Sequence, residues 1–498
     1  MYYLSSVLSC ALAIVVFAPA SCQPNCNRDP DAQVLILGAG LAGLGAARRL
    51  SESGINDFLI LEQRDQIGGR VQSVKFAGTT IELGPQWVIN VDPSVPVERQ
   101  QPLWPLVQNC NVSVRDAPLG TLPSVVYNSQ GEDITLSPEL GAAVGRYLAA
   151  IRPEVVSRIV DGLSDNEDLT VAAGLREGGW LARSPIEEYV EYSFFDTGPA
   201  RPADTISYRD LLDPAISAVR QFSFGTNIST YIVTDPRGYI AIAECLAKGF
   251  LIPNDERLVL ESTVHTVSWG DKCVCALATK NGVDQEYCAP YAILTFSVGE
   301  LAINAINFVP ELPIASRLNL QRLEMANFLK IYIAFNETFW DTGVDFIFYV
   351  DEVNGREYYT WFGPWGDYFP HKPPVMQLFL TGDTALRVAQ QDLEITKEQI
   401  AEVMQNIYGD EASEPVDIIM HDFITNRYFL GDFSTPIPGA GTSTRESLNH
   451  PFGKLYLAGE AYIDAHSGSA HGAVIHGYQV GGRVAQEIQG PLKGMINR

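Results

Sequence analysis

The sequence is poor in basic residues and lacks the common metal-binding motifs. Its 498 residues include 34 lysines and arginines against 59 aspartates and glutamates, which gives a formal net charge of −25. Such a charge repels phosphate backbones and anionic lipid surfaces, so a nucleic-acid-binding function is excluded. The same charge either draws cationic ligands toward the protein or keeps it soluble. Neither a CxxC pair nor an HExxH segment occurs, which excludes zinc sites of those types and thioredoxin-like chemistry.

We expect no metal site in this chain. Three histidines, His466, His471 and His476, recur every five residues near the C-terminus. That spacing does not place them on one face of a helix, so they are not predicted to be metal ligands.

Long hydrophobic runs are also missing beyond the N-terminus, which predicts no membrane span. The apolar segment Val7–Ala20 is short and is followed by small residues, so residues 1–22 are predicted to be a signal peptide. Its first six residues lack the usual lysine or arginine, and an apolar N-terminal anchor is the alternative. We expect a secreted, extracellular glycoprotein, since sequons occur at Asn111, Asn227 and Asn336.

Six of the eight cysteines lie beyond this N-terminal segment, an even number that suits an oxidising compartment. The segment Lys272–Pro290 predicts a β-hairpin that turns at Asn281-Gly282. A two-residue turn there would place Cys275 directly opposite Cys288. These two cysteines are predicted either to form a disulfide or to be buried free thiols.

The length of the chain is roughly three times that of a usual single domain, so two or more domains are expected. A βαβ unit at the start predicts an α/β fold with a doubly wound parallel sheet. Its parts are a strand at Gln33–Leu37, a helix at Leu44–Ser53 and a strand at Phe58–Leu61. Further predictions are helices at Leu136–Ile159, Lys397–Tyr408 and about His471–Ile488, paired strands within Leu258–Thr279, and a strand at Leu455–Ala458.

A dinucleotide site is predicted between the first strand and the first helix. Gly38, Gly40 and Gly43 match the GxGxxG pattern, in which the glycines allow a tight turn, a close approach of pyrophosphate and tight helix packing. Glu62 ends the second strand, where a carboxylate can accept hydrogen bonds from a ribose. An acid at this position disfavours NADP. The later segment Gly68-Gly69-Arg70 favours FAD over NAD.

Five blocks of the sequence, in order, resemble those of flavin-containing amine oxidases, with the greatest likeness to secreted polyamine oxidases. They are Val34–Val71, Glu82–Trp87, Asp235–Tyr239, Met325–Phe335 and Gly459-Glu460. The resemblance implies an FAD-dependent oxidase with a discontinuous FAD-binding Rossmann-like domain and an inserted α+β substrate-binding domain. The FAD-binding pieces are predicted at 28–105, 226–308 and 421–490, and the substrate-binding pieces at 106–225 and 309–420.

The resemblance also implies the residues that hold the cofactor. They are Gly38, Gly40, Gly43 and Gly69 in the glycine turns, Glu62 on the adenosine ribose, Val264 on the adenine through its backbone, Arg70 near the phosphates, Gly84 and Trp87 along the flavin, and Gly459 and Glu460 near the ribityl chain or phosphates. The helix near His471 would direct its positive N-terminal dipole at the flavin. Arg70 as a surface cation and Glu460 as a helix-capping carboxylate are the alternatives. No cysteine lies near the C-terminal block, so a thioether link to FAD is not expected.

Lys330 is the predicted catalytic residue. It lies in the apolar segment NFLKIYIAF, where a buried ammonium costs several kcal/mol unless it has partners. An edge-strand lysine that reaches solvent is the alternative. The resemblance implies that this lysine reaches the flavin N5 atom through a water and assists the reaction of reduced flavin with O2.

The chain departs from the polyamine oxidase pattern at four positions. Ile89 and Ser193 replace acids, Phe328 replaces a tyrosine, and Ser469 replaces an aromatic residue that covers the flavin. The sequence therefore does not identify the amine substrate, the side of its nitrogen that is cleaved, or the oligomeric state. Five aromatic residues are candidates to line a pocket for an apolar amine or to be core residues: Phe194, Phe195, Trp361, Phe423 and Phe433.

The predicted reaction oxidises a small-molecule amine to an imine, which hydrolyses to an aldehyde, while O2 is reduced to hydrogen peroxide. A monoamine oxidase, an L-amino acid oxidase or a catalytically silent flavin-binding protein are the alternatives. An L-amino acid oxidase would need an arginine for the substrate carboxylate.

Overall fold

The structure is a computed structural model that describes most of the chain after residue 27. The described residues are 28–92, 94, 96–117, 122–163, 167–212, 229–351, 360–363, 368–369, 373–421, 423–464 and 466–490. The predicted signal peptide and the sequon at Asn227 lie outside these residues. The sequons at Asn111 and Asn336 are on exposed asparagines.

The strands of the described residues are β1 (Val34–Leu37), β2 (Phe58–Leu61), β3 (Ser73–Phe76), β4 (Thr79–Glu82), β5 (Trp87–Val91), β6 (Val114–Asp116), β7 (Ser124–Asn128), β8 (Ser229–Val233), β9 (Leu258–Val259), β10 (Thr263–Trp269), β11 (Val274–Lys280), β12 (Val283–Ala289), β13 (Tyr291–Leu294), β14 (Asn307–Val309), β15 (Leu323–Met325), β16 (Phe328–Ala334), β17 (Phe346–Val350), β18 (Thr360–Phe362), β19 (Val375–Thr381), β20 (Asp417–Met420), β21 (Ser434–Pro436) and β22 (Leu455–Leu457).

The α-helices of the same residues are α1 (Leu41–Glu52), α2 (Leu103–Asn109), α3 (Pro138–Ala150), α4 (Pro153–Asp161), α5 (Val171–Glu177), α6 (Pro185–Glu191), α7 (Tyr208–Leu212), α8 (Ile240–Lys248), α9 (Val298–Ala302), α10 (Ile314–Gln321), α11 (Gly382–Ala389), α12 (Leu393–Tyr408), α13 (Thr442–Leu448) and α14 (Ala470–Gln489). Among the described helices, none combines the length and the apolar character that crossing a membrane requires.

A parallel sheet joins three distant parts of the chain. Its strand order is β22-β13-β1-β2-β9, and each neighbouring pair is parallel. The central strand β1 is completely buried, because one face of it packs against α1, α8 and α14 and the other packs against β10 and β11. This arrangement confirms the predicted α/β class with a discontinuous Rossmann-like sheet. The boundaries of the five predicted domain pieces stay predictions.

Helix α1 begins three residues earlier than predicted, at Leu41 rather than Leu44. Gly40 directly before it is extended, with φ −70° and ψ 177°, so the chain enters the helix immediately after the second glycine of the motif. Gly43 therefore lies in the first turn of the helix. A Cβ atom on Gly43 would stand 2.0 Å from the carbonyl oxygen of Gly38, so only glycine lets the helix approach the turn this closely.

The predicted helix Leu136–Ile159 is wrong as a single element. The chain forms α3 and α4 instead, because Pro153 has no N–H and forces Arg152 out of the helical region, to φ −58° and ψ 145°. The prediction over Leu258–Thr279 is also partly wrong. β10 and β11 do pair with each other, but Leu258 and Val259 form β9, which joins the parallel sheet.

The predicted hairpin and its disulfide are confirmed. Asn281 and Gly282 both have positive φ, 52° and 74°, as a two-residue type I′ turn requires. The turn sets Cys275 opposite Cys288, and their Sγ atoms are bonded, so the free-thiol alternative is wrong. With Glu286 these cysteines are the one cluster of potential metal ligands among the described residues, but a disulfide offers no thiolate.

A second disulfide, Cys110–Cys245, was not predicted. It joins Cys110, the residue directly after α2, to Cys245 in α8, across 135 residues of sequence. No local turn brings these cysteines together, so the sequence carries no signal for this pairing.

A six-stranded sheet, with the order β20-β16-β19-β18-β17-β7, forms the second layer that matters for the site. Side chains alternate between its two faces. One face packs Leu329, Ile331 and Ile333 of β16 against Ile400 and Met404 of α12 in a hydrophobic core. The opposite face carries Phe328, Lys330 and Phe379, which line a cavity.

Candidate functional site

A cavity of about 510 Å³ lies between the parallel sheet and the six-stranded sheet. Gly38, Glu62 and Thr295 line it at the carboxyl ends of β1, β2 and β13, where ligands bind in open α/β sheets. The predicted cofactor and catalytic residues that border this cavity are Gly38, Gly40, Glu62, Gly69, Arg70, Gly84, Trp87, Val264, Lys330, Gly459 and Glu460. Gly43 alone among the predicted set does not border it, because it packs behind the turn.

The Glu62 carboxylate lies at the end of the cavity predicted for adenosine. Its Oε2 accepts a hydrogen bond from the Ala39 amide at 2.7 Å, and its Oε1 accepts one from the Arg64 amide at 3.0 Å. Burial raises the pKa of Glu62, and these two amides oppose the rise. Each oxygen keeps acceptor capacity, so the side chain can accept hydrogen bonds from a ribose.

Arg70 and Glu460 form an ion pair at the middle of the cavity. The Nη1 atom of Arg70 donates to Glu460 Oε1 at 3.1 Å and to the Asp432 carbonyl at 2.7 Å. Glu460 also accepts from the Ser434 hydroxyl at 2.6 Å. The alternatives for both residues are therefore wrong. Arg70 is not a free surface cation, and α14 is capped by the Ser469 hydroxyl rather than by Glu460.

The first turn of α14 borders the cavity through Ser469, Ala470 and His471. Burial lowers the pKa of His471 to about 3, so the ring is neutral and leaves the helix dipole unopposed. His476 lies one turn further on, where its Nδ1 accepts from the Gly459 amide at 3.1 Å. These two rings thus serve the local structure of the C-terminal block.

The buried side-chain amide of Gln86 indicates most directly whether the cavity fits FAD. Its side chain is 2% exposed and borders the cavity, yet neither Oε1 nor Nε2 has a partner in the protein. A buried polar group that lacks a hydrogen bond costs about 1–3 kcal/mol. A ligand with a donor next to an acceptor removes this cost, and the edge of a flavin ring offers both. The cavity therefore fits FAD, which Glu62, the Arg70–Glu460 pair and Gln86 would hold.

We expect Gln86→Leu to weaken FAD binding by about tenfold to a hundredfold, because the ligand loses its partner. The Kd of the apoprotein for FAD, measured by flavin fluorescence, checks this. The melting temperature of the Gln86→Leu apoprotein should equal or exceed that of the wild type, since an unsatisfied amide is removed. The exposed Gln130→Leu variant is the control, and equal FAD affinity in both variants contradicts the role of Gln86.

Lys330 lies on an inner strand of the six-stranded sheet, since β16 pairs with β19 on one side and β20 on the other. Its side chain is 4% exposed, and the edge-strand alternative is wrong. Its ammonium donates to the carbonyl of Glu82 at 3.2 Å and to that of Gly84. Burial lowers the pKa of Lys330 to about 8, while the nearby Glu82 and Asp432 oppose that shift.

The Glu82 carboxyl group is buried beside Lys330. Burial raises its pKa to about 7, against hydrogen bonds from the Ser73 hydroxyl at 2.6 Å and the Tyr239 amide at 2.8 Å. Tyr332, two residues after Lys330 on the same face, donates its hydroxyl to the Glu82 carbonyl at 2.6 Å. The main chain around Glu82 is thereby held in place for the lysine.

His421 contacts the main chain of Lys330 and is itself bonded to Asp432, and sequence reasoning missed both residues. The Lys330 amide donates to His421 Nδ1 at 3.0 Å, so Nδ1 acts as an acceptor and Nε2 donates to Asp432 Oδ1 at 2.7 Å. The second oxygen of Asp432 accepts from the Phe328 amide at 3.0 Å. No sequence signal connects residues 91 positions apart, as Lys330 and His421 are.

The remaining end of the cavity, which we call the chamber, is bounded by one face of the six-stranded sheet. Its floor consists of Phe328, Phe346, Phe348, Thr360, Phe379, Thr381 and Lys330. Its other walls include Trp87, Ile89, Ser193, Phe423 and Phe433. All four positions that depart from the polyamine oxidase pattern, Ile89, Ser193, Phe328 and Ser469, thus border the cavity.

Three of the five aromatic residues suggested for the pocket do not border it. Trp361 follows Thr360 on β18 and so points to the opposite face, into the core. Phe195 is buried in a helical core. Phe194 is 43% exposed, and its ring packs against that of Tyr147. Phe423 and Phe433 do line the chamber.

Comparison with known proteins gives one family. The family model of flavin-containing amine oxidoreductases matches residues 41–487. The chain is 30% identical to polyamine oxidase 7 of Oryza sativa subsp. japonica, over 89% of this chain and 93% of that protein. It is 30% identical to polyamine oxidase 1 of Zea mays, over 89% of this chain and 88% of that protein.

A similar fold occurs among solved structures. A putrescine oxidase bound to putrescine superposes with a TM-score of 0.72, over 91% of this chain and 98% of that one, at 18% sequence identity. At this identity the likeness concerns the fold alone.

Proposed function

Because the chain belongs to the family of flavin-containing amine oxidoreductases, we propose that it is a secreted FAD-dependent oxidase that uses O2 and releases hydrogen peroxide. Membership makes it an FAD-dependent amine oxidase. One observation carries the proposal: a single cavity collects the glycine turn, the Glu62 carboxylate and the buried ammonium of Lys330. For a primary amine the balance is one amine, one O2 and one water to one aldehyde, one ammonia and one hydrogen peroxide.

FAD, when bound, would supply the two-electron redox chemistry that links oxidation of the amine to reduction of O2. The glycine turn, Glu62 and the Arg70–Glu460 pair would hold this cofactor. Each of these groups comes from a rigid element or its end, so the substrate is presented to a fixed site.

The chamber favours the neutral form of the amine. Its phenylalanine floor withdraws the amine from water, which destabilises an ammonium ion, and the positive charge of Lys330 acts in the same direction. A neutral nitrogen keeps the lone pair that assists departure of the hydride. The same residues exclude water from the reacting carbon.

Lys330 serves the oxygen half of the reaction. Negative charge develops on O2 as it takes electrons, and a fixed ammonium next to that position stabilises the charge without reorganising. The carbonyls of Glu82 and Gly84 hold this ammonium in place.

We expect kcat/KM for the amine to rise between about pH 6 and pH 9, since the fraction of neutral amine rises with pH. Steady-state peroxide formation at several pH values measures this. A flat profile over that range contradicts the assignment of a neutral amine as the hydride donor.

The test of the function begins with secreted full-length protein from a eukaryotic host. We expect protein in the medium that has lost its first 22 or so residues, is yellow, is bleached by an amine without O2, and forms peroxide in air. Yellow protein that no amine bleaches supports the silent flavin-binding alternative. Among the described lining residues the one arginine, Arg70, is engaged by Glu460, so none of them offers a free arginine for the carboxylate of an L-amino acid.

A further inference from the structure

We propose that the chamber selects monoamines with an aromatic or alkyl chain that carries one neutral hydroxyl group, and that it rejects polycations. This substrate class rests on the proposed oxidase function. It follows from three features of the chamber: its apolar walls, the placement of its charges, and two threonine hydroxyls on its floor.

The walls suit an apolar chain. Phe328 and Phe379 stand with ring centres 5.4 Å apart, and Trp87 and Phe379 with ring centres 6.2 Å apart. Ile89 extends the apolar wall next to Trp87. Rings arranged in this way bury an aryl or alkyl group, and each ring adds both area and edge-to-face contact.

The charges oppose a second ammonium group. Lys330 places a positive charge on the floor of the chamber. Four acids are among the described lining residues: Glu62, Glu300, Asp432 and Glu460. Asp432 is already bonded to the His421 ring and to the Phe328 amide. Glu62 and Glu460 belong to the cofactor part of the cavity, and Glu300 interacts electrostatically with Glu62. An ammonium carried into the chamber by a polyamine therefore loses water and gains no carboxylate.

Two buried hydroxyl groups in the chamber lack a hydrogen-bond partner that a ligand would supply. Thr360 and Thr381 are 5% and 4% exposed, both border the chamber, and neither Oγ1 has a hydrogen-bond partner in the protein. A buried hydroxyl without a partner costs about 1–3 kcal/mol. A neutral hydroxyl on the substrate, which both donates and accepts, removes that cost.

The register of the sheet places this hydroxyl relative to the lysine. Lys330 is directly opposite Phe379, and Phe379 is directly opposite Thr360, so the three side chains form one row on the same face. Two strand spacings separate Lys330 from Thr360, roughly 10 Å. This is the reach of a hydroxyaryl-ethyl skeleton whose amine end lies near the lysine. Thr381 is opposite Phe328 and lies diagonal to this row.

The experiment measures kcat/KM of the FAD-loaded full chain for 4-hydroxyphenethylamine, phenethylamine and spermidine. We expect both monoamines to exceed spermidine by at least about tenfold, and the hydroxylated amine to exceed phenethylamine by about tenfold. A wild-type enzyme that prefers spermidine overturns the proposal. A ratio near one between the two monoamines overturns the hydroxyl part of it.

Two sets of variants assign these preferences to residues. Thr360→Val keeps shape and removes the hydroxyl, so the preference for the hydroxylated amine should fall to nearly one. Thr279→Val, on the β11 strand outside the cavity, is the matched control and should keep the wild-type ratio. Ile89→Glu should raise kcat/KM for spermidine relative to phenethylamine by about tenfold, whereas Ile89→Gln, which adds polarity without charge, should not. Equal effects of glutamate and glutamine contradict the argument from charge.

The outcomes separate this inference from the proposed function. If spermidine bleaches the flavin fastest, the protein is still an amine oxidase and only the substrate class is wrong. If no amine bleaches the flavin, the function itself is wrong.

Discussion

Lys330→Met should slow the reaction of the reduced enzyme with O2 by about 10²- to 10³-fold and affect reduction by the amine much less. The substitution keeps the length of the side chain and removes the charge that faces the carbonyls of Glu82 and Gly84. Rapid mixing of reduced enzyme with O2 measures one half of the reaction, and anaerobic mixing with the amine measures the other. Unchanged oxygen kinetics in this variant would refute the role of Lys330.

The pH dependence adds an independent test of the same residue. Burial lowers the pKa of Lys330 to about 8, so the ammonium is present below that pH and is lost as the pH rises through it. The oxygen rate constant of the wild type should therefore fall as the pH rises through about 8. The methionine variant should show no such step, and Lys330→Arg, which stays charged, should keep a fast rate to higher pH.

The stability of the apoprotein separates this role from a structural one. The pKa of Lys330 is lower in the folded chain than in the unfolded chain, so its burial costs stability below about pH 8, and the cost disappears as the pH approaches about 10.5. Lys330→Met apoprotein should thus be at least as stable as the wild type at neutral pH. A residue that is retained at a cost to stability serves the reaction rather than the fold.

The parts of the fold that the sequence predicted are those with local causes. The hairpin at Asn281-Gly282 follows from residues that accept positive φ, and its two-residue turn alone fixes the pairing of Cys275 with Cys288. The glycine turn and Glu62 follow from one βαβ unit. Lys330 and Tyr332 share a face of β16 for an equally local reason, since side chains alternate along a strand.

The parts that the sequence could not predict depend on contacts between distant segments. His421 acquires its role only because β20 pairs with β16, which puts its ring against the Lys330 amide. Trp361 was a candidate pocket residue, but it follows Thr360 on β18 and side chains alternate along a strand. Thr360 therefore faces the cavity and Trp361 faces the core. The pairing of Cys110 with Cys245 likewise depends on how α8 packs.

Arg445→Met should destabilise the folded chain by about 3–5 kcal/mol. Arg445 on α13 is 1% exposed, and its guanidinium contacts Asp210 at 3.5 Å and Asp464 at 3.3 Å. Asp210, on α7, belongs to a predicted substrate-binding piece, whereas Arg445 belongs to the C-terminal FAD-binding piece. Methionine fills much of the space of the arginine but removes the cation that contacts Asp210 and Asp464.

Arg48→Met is the matched control, because Arg48 forms an ion pair with Glu52 on the surface of α1, where the side chains are 36% and 38% exposed. It should cost less than about 0.5 kcal/mol. Thermal unfolding at one scan rate compares the variants, since a disulfide-bonded protein of this size often unfolds irreversibly. The buried substitution should lower Tm by roughly 5 °C or more and the surface one by about 1 °C or less. Equal melting temperatures would mean that the contact between α7 and α13 contributes no more than a surface pair, and that other contacts join the two regions.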